Sequence, residues 1–204
     1  MGRKNVIYVY FLMYLISFFK LLPSSKGVHV ESTPEEKLTI FADKEEIRDV
    51  LMRYGRGVDR LDEDLIRSCY HEDSTDNHGH WKGRGQDFAA FIVGSLRERS
   101  HHTTHAIANV FIEINPNNPD HARSESYSLA YLRRTDESGT EWLDFFSGRY
   151  IDKFEKRHNE WKILDRVIVH DWSISNPLDS GSFPLPMDSF VQGKRDKSDL
   201  VYEW

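Results

Sequence analysis

Residues 142–172 read WLDFFSGRYIDKFEKRHNEWKILDRVIVHDW, and this stretch decides the fold class. Two runs rich in aromatic and β-branched residues, Trp142 to Glu155 and Trp161 to Trp172, lie on either side of His158-Asn159. That pattern predicts two long antiparallel strands joined at a turn. Working backward, Ala122 to Arg134 alternates Ser124, Ser126 and Ser128 against Tyr127, Leu129 and Tyr131, the period of a strand. Thr103 to Ile114 is also β-rich and stops at the turn cluster Asn115-Pro116-Asn117-Asn118-Pro119. Asp136-Glu137-Ser138-Gly139 separates the next pair.

The first half has a different period. Ile47, Val50, Leu51, Tyr54, Val58 and Leu61 recur at three- and four-residue steps, which predicts a helix from Asp43, with Asp43 as its cap and Glu46 three residues on. A short helix fits Glu63 to Tyr70. A third fits Gln86 to Arg97, with Phe88, Phe91, Ile92 and Leu96 on one face. Between them the polar stretch His71 to Gly83 has an Asn77-His78-Gly79 centre that suits a turn between two short strands. Three helices followed by a run of antiparallel strands is an α+β architecture.

The chain has 204 residues, enough for one domain with extensions. Its 27 basic and 33 acidic residues leave a net charge of −6. Arg3, Lys4, Lys20 and Lys26 lie in the first 27 positions, which hold no acid, so the remainder carries 23 minus 33, or −10. An acidic body excludes the basic stripe of a nucleic-acid-binding module. The one cysteine, Cys69, excludes a disulfide framework and a multi-cysteine metal site. Val6 to Phe19 is apolar apart from Ser17 and is flanked by Arg3, Lys4 and Lys20, with Ser25 and Gly27 at the spacing a signal peptidase reads. The expected organisation is therefore a signal peptide or membrane anchor over 1–27, a linker over 28–42, a domain over 43–174 and a tail over 175–204. Secretion or membrane anchoring follows from the first segment if it is genuine, and a cytoplasmic location if it is not.

Ten histidines invite a metal reading, above all His101-His102-Thr103-Thr104-His105. On a strand, however, His101 and His105 stand about 13 Å apart, too far for one ion. No phosphate loop, dinucleotide fingerprint or nucleophile elbow occurs, so no cofactor and no metal are expected. Asp59 lies near the edge of the first helix's apolar stripe and Tyr54 lies inside it. Gly55 and Gly57 weaken that helix and make room for a close neighbour. His105 alternates with Ile107, Asn109 and Phe111 on one strand face. On the last strand Leu164, Arg166, Ile168, His170 and Trp172 share a face, against Asp165, Val167, Val169 and Asp171. Spacing alone leaves each of these open to a purely structural reading.

Four stretches taken in order carry a resemblance: Ile47-Arg48-Asp49 through Tyr54 to Gly57-Val58-Asp59, then Asp76-Asn77-His78-Gly79, then Thr104-His105-Ala106-Ile107-Ala108-Asn109, then Gly148 to Glu155 leading to Trp161-Lys162-Ile163. Over Asp43 to Trp172 the chain resembles the SnoaL-like branch of the nuclear-transport-factor-two-like superfamily, the branch that holds scytalone dehydratase, hexachlorocyclohexane dehydrochlorinase and bile-acid dehydratase. The resemblance implies a cone-shaped α+β barrel, three N-terminal helices packed in a strongly curved, mainly antiparallel sheet, assembled as a homodimer or homotrimer. It implies that Asp59 and His105 form a catalytic dyad, with Tyr54 as a pocket tyrosine. Substrate-binding positions expected beside them are His170, Arg166, Asn109, Trp172 and His78. His170 stands where the bile-acid dehydratase has an arginine, and the lysine of the dehydrochlorinase is missing at Tyr54.

The function so implied is a cofactor-independent, dehydratase-like lyase that removes water or another small leaving group from a small apolar or polycyclic substrate. The same base would serve an isomerase or a polyketide-cyclase-like enzyme, and a non-catalytic ligand-binding or assembly module is a third reading, since one fold hosts many functions.

Overall fold

The computed structural model describes residues 32–178 and 185–203. The expected signal peptide or anchor over 1–27, and with it any N-terminal membrane contact, lies outside the described residues. Helix α1 runs Pro34–Asp59, so it begins at Pro34 rather than at Asp43. Proline suits a first helical turn, and Glu35 and Glu36 follow it where the helix dipole favours acids. Every residue from Glu35 to Ala42 is exposed, so this part carries no apolar stripe from which to read a helix. Asp43 is no cap. It is 5% exposed in mid-helix, and its Oδ1 accepts from Trp161 Nε1 at 2.9 Å and Lys156 Nζ at 2.7 Å, tying α1 to the sheet.

The end of α1 positions the site. Asp62 N–H donates to Gly57 O at 2.8 Å and Leu61 N–H to Val58 O at 3.3 Å. This is a Schellman closure with Leu61 in the left-handed position (φ 52°) that glycine usually fills. Asp59 is thereby held in the last helical turn. Gly57 is needed there, because a Cβ on it would stand 2.8 Å from the Ile66 side chain of the next helix. Gly55 is less constrained, with its nearest neighbour, His105 O on the sheet, at 3.6 Å.

Helix α2 (Glu63–Ser68) is capped by Asp62, whose Oδ1 accepts from Leu65 N–H at 3.2 Å. Strand β1 (Tyr70–Asn77), the short β2 (Lys82–Arg84) and helix α3 (Gly85–Arg99) follow. Then come four long strands: β3 (His102–Ile114), β4 (His121–Thr135), β5 (Glu141–Arg157) and β6 (Glu160–Pro177). The six-stranded sheet has the order β2-β1-β6-β5-β4-β3, antiparallel except where β1 pairs with β6. The β5–β6 hairpin turns at His158 (φ 53°) and Asn159 (φ 62°), two left-handed residues that match the twist of the strands. The sheet curves over the helices, and the core between them is built from Ile47, Leu51, Ile66, Phe88, Phe154 and Ile163, all fully buried.

Of the sheet's register slips, three decide which side chains of the long strands β3 and β6 face inward. One lies on β3 between Ala108 and Phe111, with Asn109 at φ 47°. Thr103, His105 and Ile107 point inward before it and Ile112 after it, while Asn109 and Phe111 turn out to solvent. A second lies where Ser147 pairs with Trp172 but Gly148 with His170. It throws Trp172 outward onto Phe145, with ring centroids 4.9 Å apart. A third, where Lys153 pairs with Asp165 but Phe154 with Ile163, separates Leu164 from the face of Arg166. A bulge inserts one residue and inverts the alternation beyond it, so strict period-two reading fails past each slip.

The described part of the tail lies against the domain. Strand β6 runs on to Pro177, and the described residues 194–203 are fastened to the helices. Asp62 Oδ2 accepts from Tyr202 Oη at 2.8 Å and pairs with Lys197, Arg60 pairs with Asp199 at 3.4 Å, and Arg195 Nη1 donates to Ser100 O at 2.5 Å.

Candidate active site

The helices do not fill the concave side of the sheet. A cavity of about 470 Å³ remains, reached by Tyr54 from α1, His78 and His80 from the β1–β2 turn, Leu96 from α3, His105 from β3 and His170 from β6. That is the size range of small-molecule sites, and its walls include Leu132, Phe146 and Ile168.

Asp59 ends α1 at the negative pole of the helix, an unfavourable place for a carboxylate. Two donors from β3 compensate. His105 backbone N–H donates to Oδ2 at 2.8 Å, and His105 Nδ1 donates to Oδ1 at 2.7 Å. This two-point contact fixes the ring's orientation and its tautomer. Nε2 keeps its lone pair, has no hydrogen-bond partner among the described residues, and belongs to a ring that lines the cavity. Both side chains are mostly covered, at 12% and 14% exposure. An imidazole held this way has the geometry to act as a base toward whatever occupies the cavity.

Tyr54 is buried at the cavity floor, with Oη 3.4 Å from His78 Nε2. Burial pushes its hydroxyl well above the usual phenol range, with Tyr150 adding to the effect and Arg166 opposing it. Tyr54 is therefore a protonated hydrogen-bond donor at neutral pH. His78 is joined through Nδ1 to Asp76 Oδ1, and its ring stacks on Phe88 at 4.0 Å. His170 sits at the exposed rim, against Phe146 at 5.3 Å.

Three sequence-derived binding positions fall elsewhere. Arg166 is 0% exposed and lies behind the cavity floor, bonded to Asp152 through Nε–Oδ1 and Nη2–Oδ2, both 2.7 Å. Its Cζ is 4.1 Å from the ring centroids of both Tyr54 and Tyr150, so the guanidinium supports these rings from below. Asn109 and Trp172 face away from the cavity because of the bulges on their strands. Sequence reasoning in turn missed Asp76, which is 2% exposed and whose Oδ2 accepts from Tyr70 Oη at 2.6 Å. The available signal was the Asp76–His78 spacing of two, which puts both side chains on one strand face.

Burial holds the His78 imidazole below its ordinary range, against the opposing pull of Asp76. A histidine depressed in the fold takes up its proton more readily when unfolded. Its stabilising contribution is then complete above about pH 6.5 and is lost as pH falls toward the depressed folded value. We expect wild-type protein to lose more melting temperature between pH 7 and pH 5.5 than His78→Phe does, by thermal denaturation at both pH values. An equal or larger loss in the variant would contradict this assignment.

Comparison with known proteins agrees with this architecture. The model of the SnoaL-like domain family matches residues 40–167. No curated protein matches the chain. Among solved structures, a Novosphingobium aromaticivorans protein provisionally assigned as a scytalone dehydratase is similar at 18% identity and a TM-score of 0.61, over 70% of this chain and 93% of that one. A hexachlorocyclohexane dehydrochlorinase, LinA-type3 from Novosphingobium barchaimii, is similar at 21% identity and a TM-score of 0.60, over 74% and 99%. A protein of unknown function from Mycobacterium tuberculosis is similar at 20% identity and a TM-score of 0.56, over 68% and 76%. At these identities the likeness shows the fold.

Proposed function

The chain belongs to the SnoaL-like domain family, and on that premise we propose that it is a cofactor-independent, dehydratase-like lyase acting on a small apolar or polycyclic substrate. The observation that carries this reading is the two-point Asp59–His105 contact, which leaves His105 Nε2 unengaged in an open, mostly apolar cavity. An assembly module would have filled the cone with side chains. Kinship of fold with dehydratase-like and dehydrochlorinase structures supports the same class.

In the proposed reaction His105 Nε2 takes a proton from a carbon next to an electron-withdrawing group. The C–H electron pair becomes the new C=C bond, and the bond to the leaving group breaks. Asp59 stabilises the imidazolium formed in between. The imidazolium returns its proton to a departing hydroxyl, so water leaves and the base is restored. Tyr54 donates its one hydrogen bond to an oxygen of the substrate. Exclusion of water by the apolar walls strengthens each of these interactions. His170, at the rim, touches the outer part of the substrate.

We also propose that the molecule acts as a homodimer or homotrimer through the outer face of the sheet. There Phe111, Trp172 and Ile174 are 64%, 54% and 49% exposed, an apolar surface of the kind partners cover.

The test is incubation with β-hydroxy-carbonyl, hydroxysteroid and polyhalogenated compounds in deuterated water, followed by mass spectrometry, with sedimentation velocity on the same sample. Loss of water or acid from one class, by a multimer, is the expected outcome. Deuterium uptake without loss would move the reading to an isomerase or cyclase. Ligand binding with neither would move it to a binding module, and a monomer would overturn the assembly.

A further inference from the structure

A second carboxylate–imidazole pair, with His78 lining the cavity and Asp76 buried behind it, is not used by the elimination scheme. We propose that Asp76 and His78 form a hydroxyl-recognition subsite: His78 Nε2 accepts the O–H of a ligand's hydroxyl group while Tyr54 Oη donates to the same oxygen, so the cavity takes a planar ring that carries a free hydroxyl. The inference rests on reading this cavity as the substrate site and names the substrate class that the site selects.

Three observations carry it. The first is the tautomer. Asp76 Oδ2 accepts from Tyr70 Oη at 2.6 Å and Oδ1 accepts from His78 Nδ1. A carboxylate at Nδ1 leaves the proton there and the lone pair on Nε2, which makes that nitrogen an acceptor. The second is the long contact between acceptor and donor, both of which line the cavity. Nε2 and Tyr54 Oη are 3.4 Å apart, long for a hydrogen bond to the nitrogen of an imidazole. An oxygen about 2.8 Å from each completes a triangle, replacing one long contact by two good ones.

The third is that the pair is not needed for the turn it borders. Asn77 Oδ1 accepts from Gly79 N–H at 3.0 Å, and His78 N–H donates to Trp81 O at 2.9 Å, so the turn is secured without the His78 ring or the Asp76 carboxylate. Burying Asp76 between two neutral donors is expensive, because a desolvated carboxylate is normally matched by a cation. The nearby guanidinium of Arg166 is bonded to Asp152 instead. What the arrangement achieves is an imidazole locked edge-on to the cavity, stacked flat on Phe88. A site built to satisfy a ligand hydroxyl also rejects the analogue without it, since the polar groups would be left unpaired. Beyond the subsite, Phe146, Leu132 and Ile168 form the apolar part of the cavity, which suits a flat ring system.

The experiment is calorimetric titration of the full-length protein with two probes, 2-naphthol and 2-methoxynaphthalene, which share the ring and differ in the O–H. Wild type is expected to bind 2-naphthol at least about tenfold tighter. His78→Phe keeps the stack on Phe88 and is expected to remove the preference. His105→Ala is expected to retain it, because the dyad is not part of the subsite. Circular dichroism confirms that each variant is folded, and the wild-type comparison stands even if one is not. Equal binding of the two probes by wild type overturns the proposal. So does a preference that survives His78→Phe, or one that disappears with His105→Ala instead. None of these outcomes depends on turnover, so the elimination reading fails or holds separately.

Discussion

His105→Ala is expected to lower the rate of elimination by about 10²- to 10⁴-fold, the usual contribution of a positioned acid–base group. Asp59→Asn is expected to lose a comparable factor for a different reason. The asparagine carbonyl can still accept from His105 backbone N–H, which in the wild type bonds Asp59 Oδ2 at 2.8 Å. Its amide NH₂ then faces Nδ1 and donates to it, which moves the imidazole proton to Nε2. The residue aimed at the substrate becomes a donor, and the base is gone although every atom is near its place. Both effects should appear in kcat with little change in KM, since the lost interaction belongs to the transition state. Steady-state rates on the substrate class identified in deuterated water, with melting curves for each variant, provide the check. A variant that keeps its fold and stays within tenfold of wild type would remove the dyad from the mechanism.

The second large effect is on stability. Arg166→Met should destabilise the protein by about 3–5 kcal/mol, because it strands the Asp152 carboxylate in a site with no exposure. For a chain of this size that is a fall of roughly 6–20 °C in melting temperature. The double variant Arg166→Met/Asp152→Leu should recover most of the loss, since an apolar pair of similar volume needs no desolvated charge. Chemical denaturation of the wild type, both single variants and the double variant measures the coupling. A single variant that loses less than about 1 kcal/mol, or a double variant as unstable as the sum of the singles, would contradict the account. Because the guanidinium lies 4.1 Å from the rings of Tyr54 and Tyr150, the single variant should also loosen the cavity floor.

Arg166 illustrates where reading from sequence reached its limit. An arginine on a strand face beside Ile168 and His170 is readable as a ligand for developing negative charge. Its actual partner, Asp152, lies 14 residues earlier on the neighbouring strand, and only the β5–β6 register, which pairs Asp152 with Arg166, brings the two together. Asn109 and Trp172 fail for a related reason. Alternation along β3 and β6 was readable, but a bulge depends on how two strands meet, and a single slip reverses every side chain beyond it. The early part of α1 was not readable because no face of it is buried, and burial is what creates an amphipathic period.

The elements themselves were legible to a large extent. Aromatic and β-branched runs bounded by turn clusters mark the four long strands, three-to-four spacing marks the helices, and the His158-Asn159 turn marks the last hairpin, because each of these is set by local backbone preference and side-chain burial. The order and spacing of its motifs are enough to suggest the SnoaL-like family. The site is another matter. Asp59 and His105 are 46 residues apart, Tyr54 and His78 are 24 apart, and no local preference relates the members of either pair. They meet because α1 ends in a Schellman turn against the inward face of β3, where His105 stands, and because Asp76 is buried where it can orient His78. Those are consequences of packing between distant segments, and it is packing that turned a list of polar residues into a cavity with two oriented imidazoles.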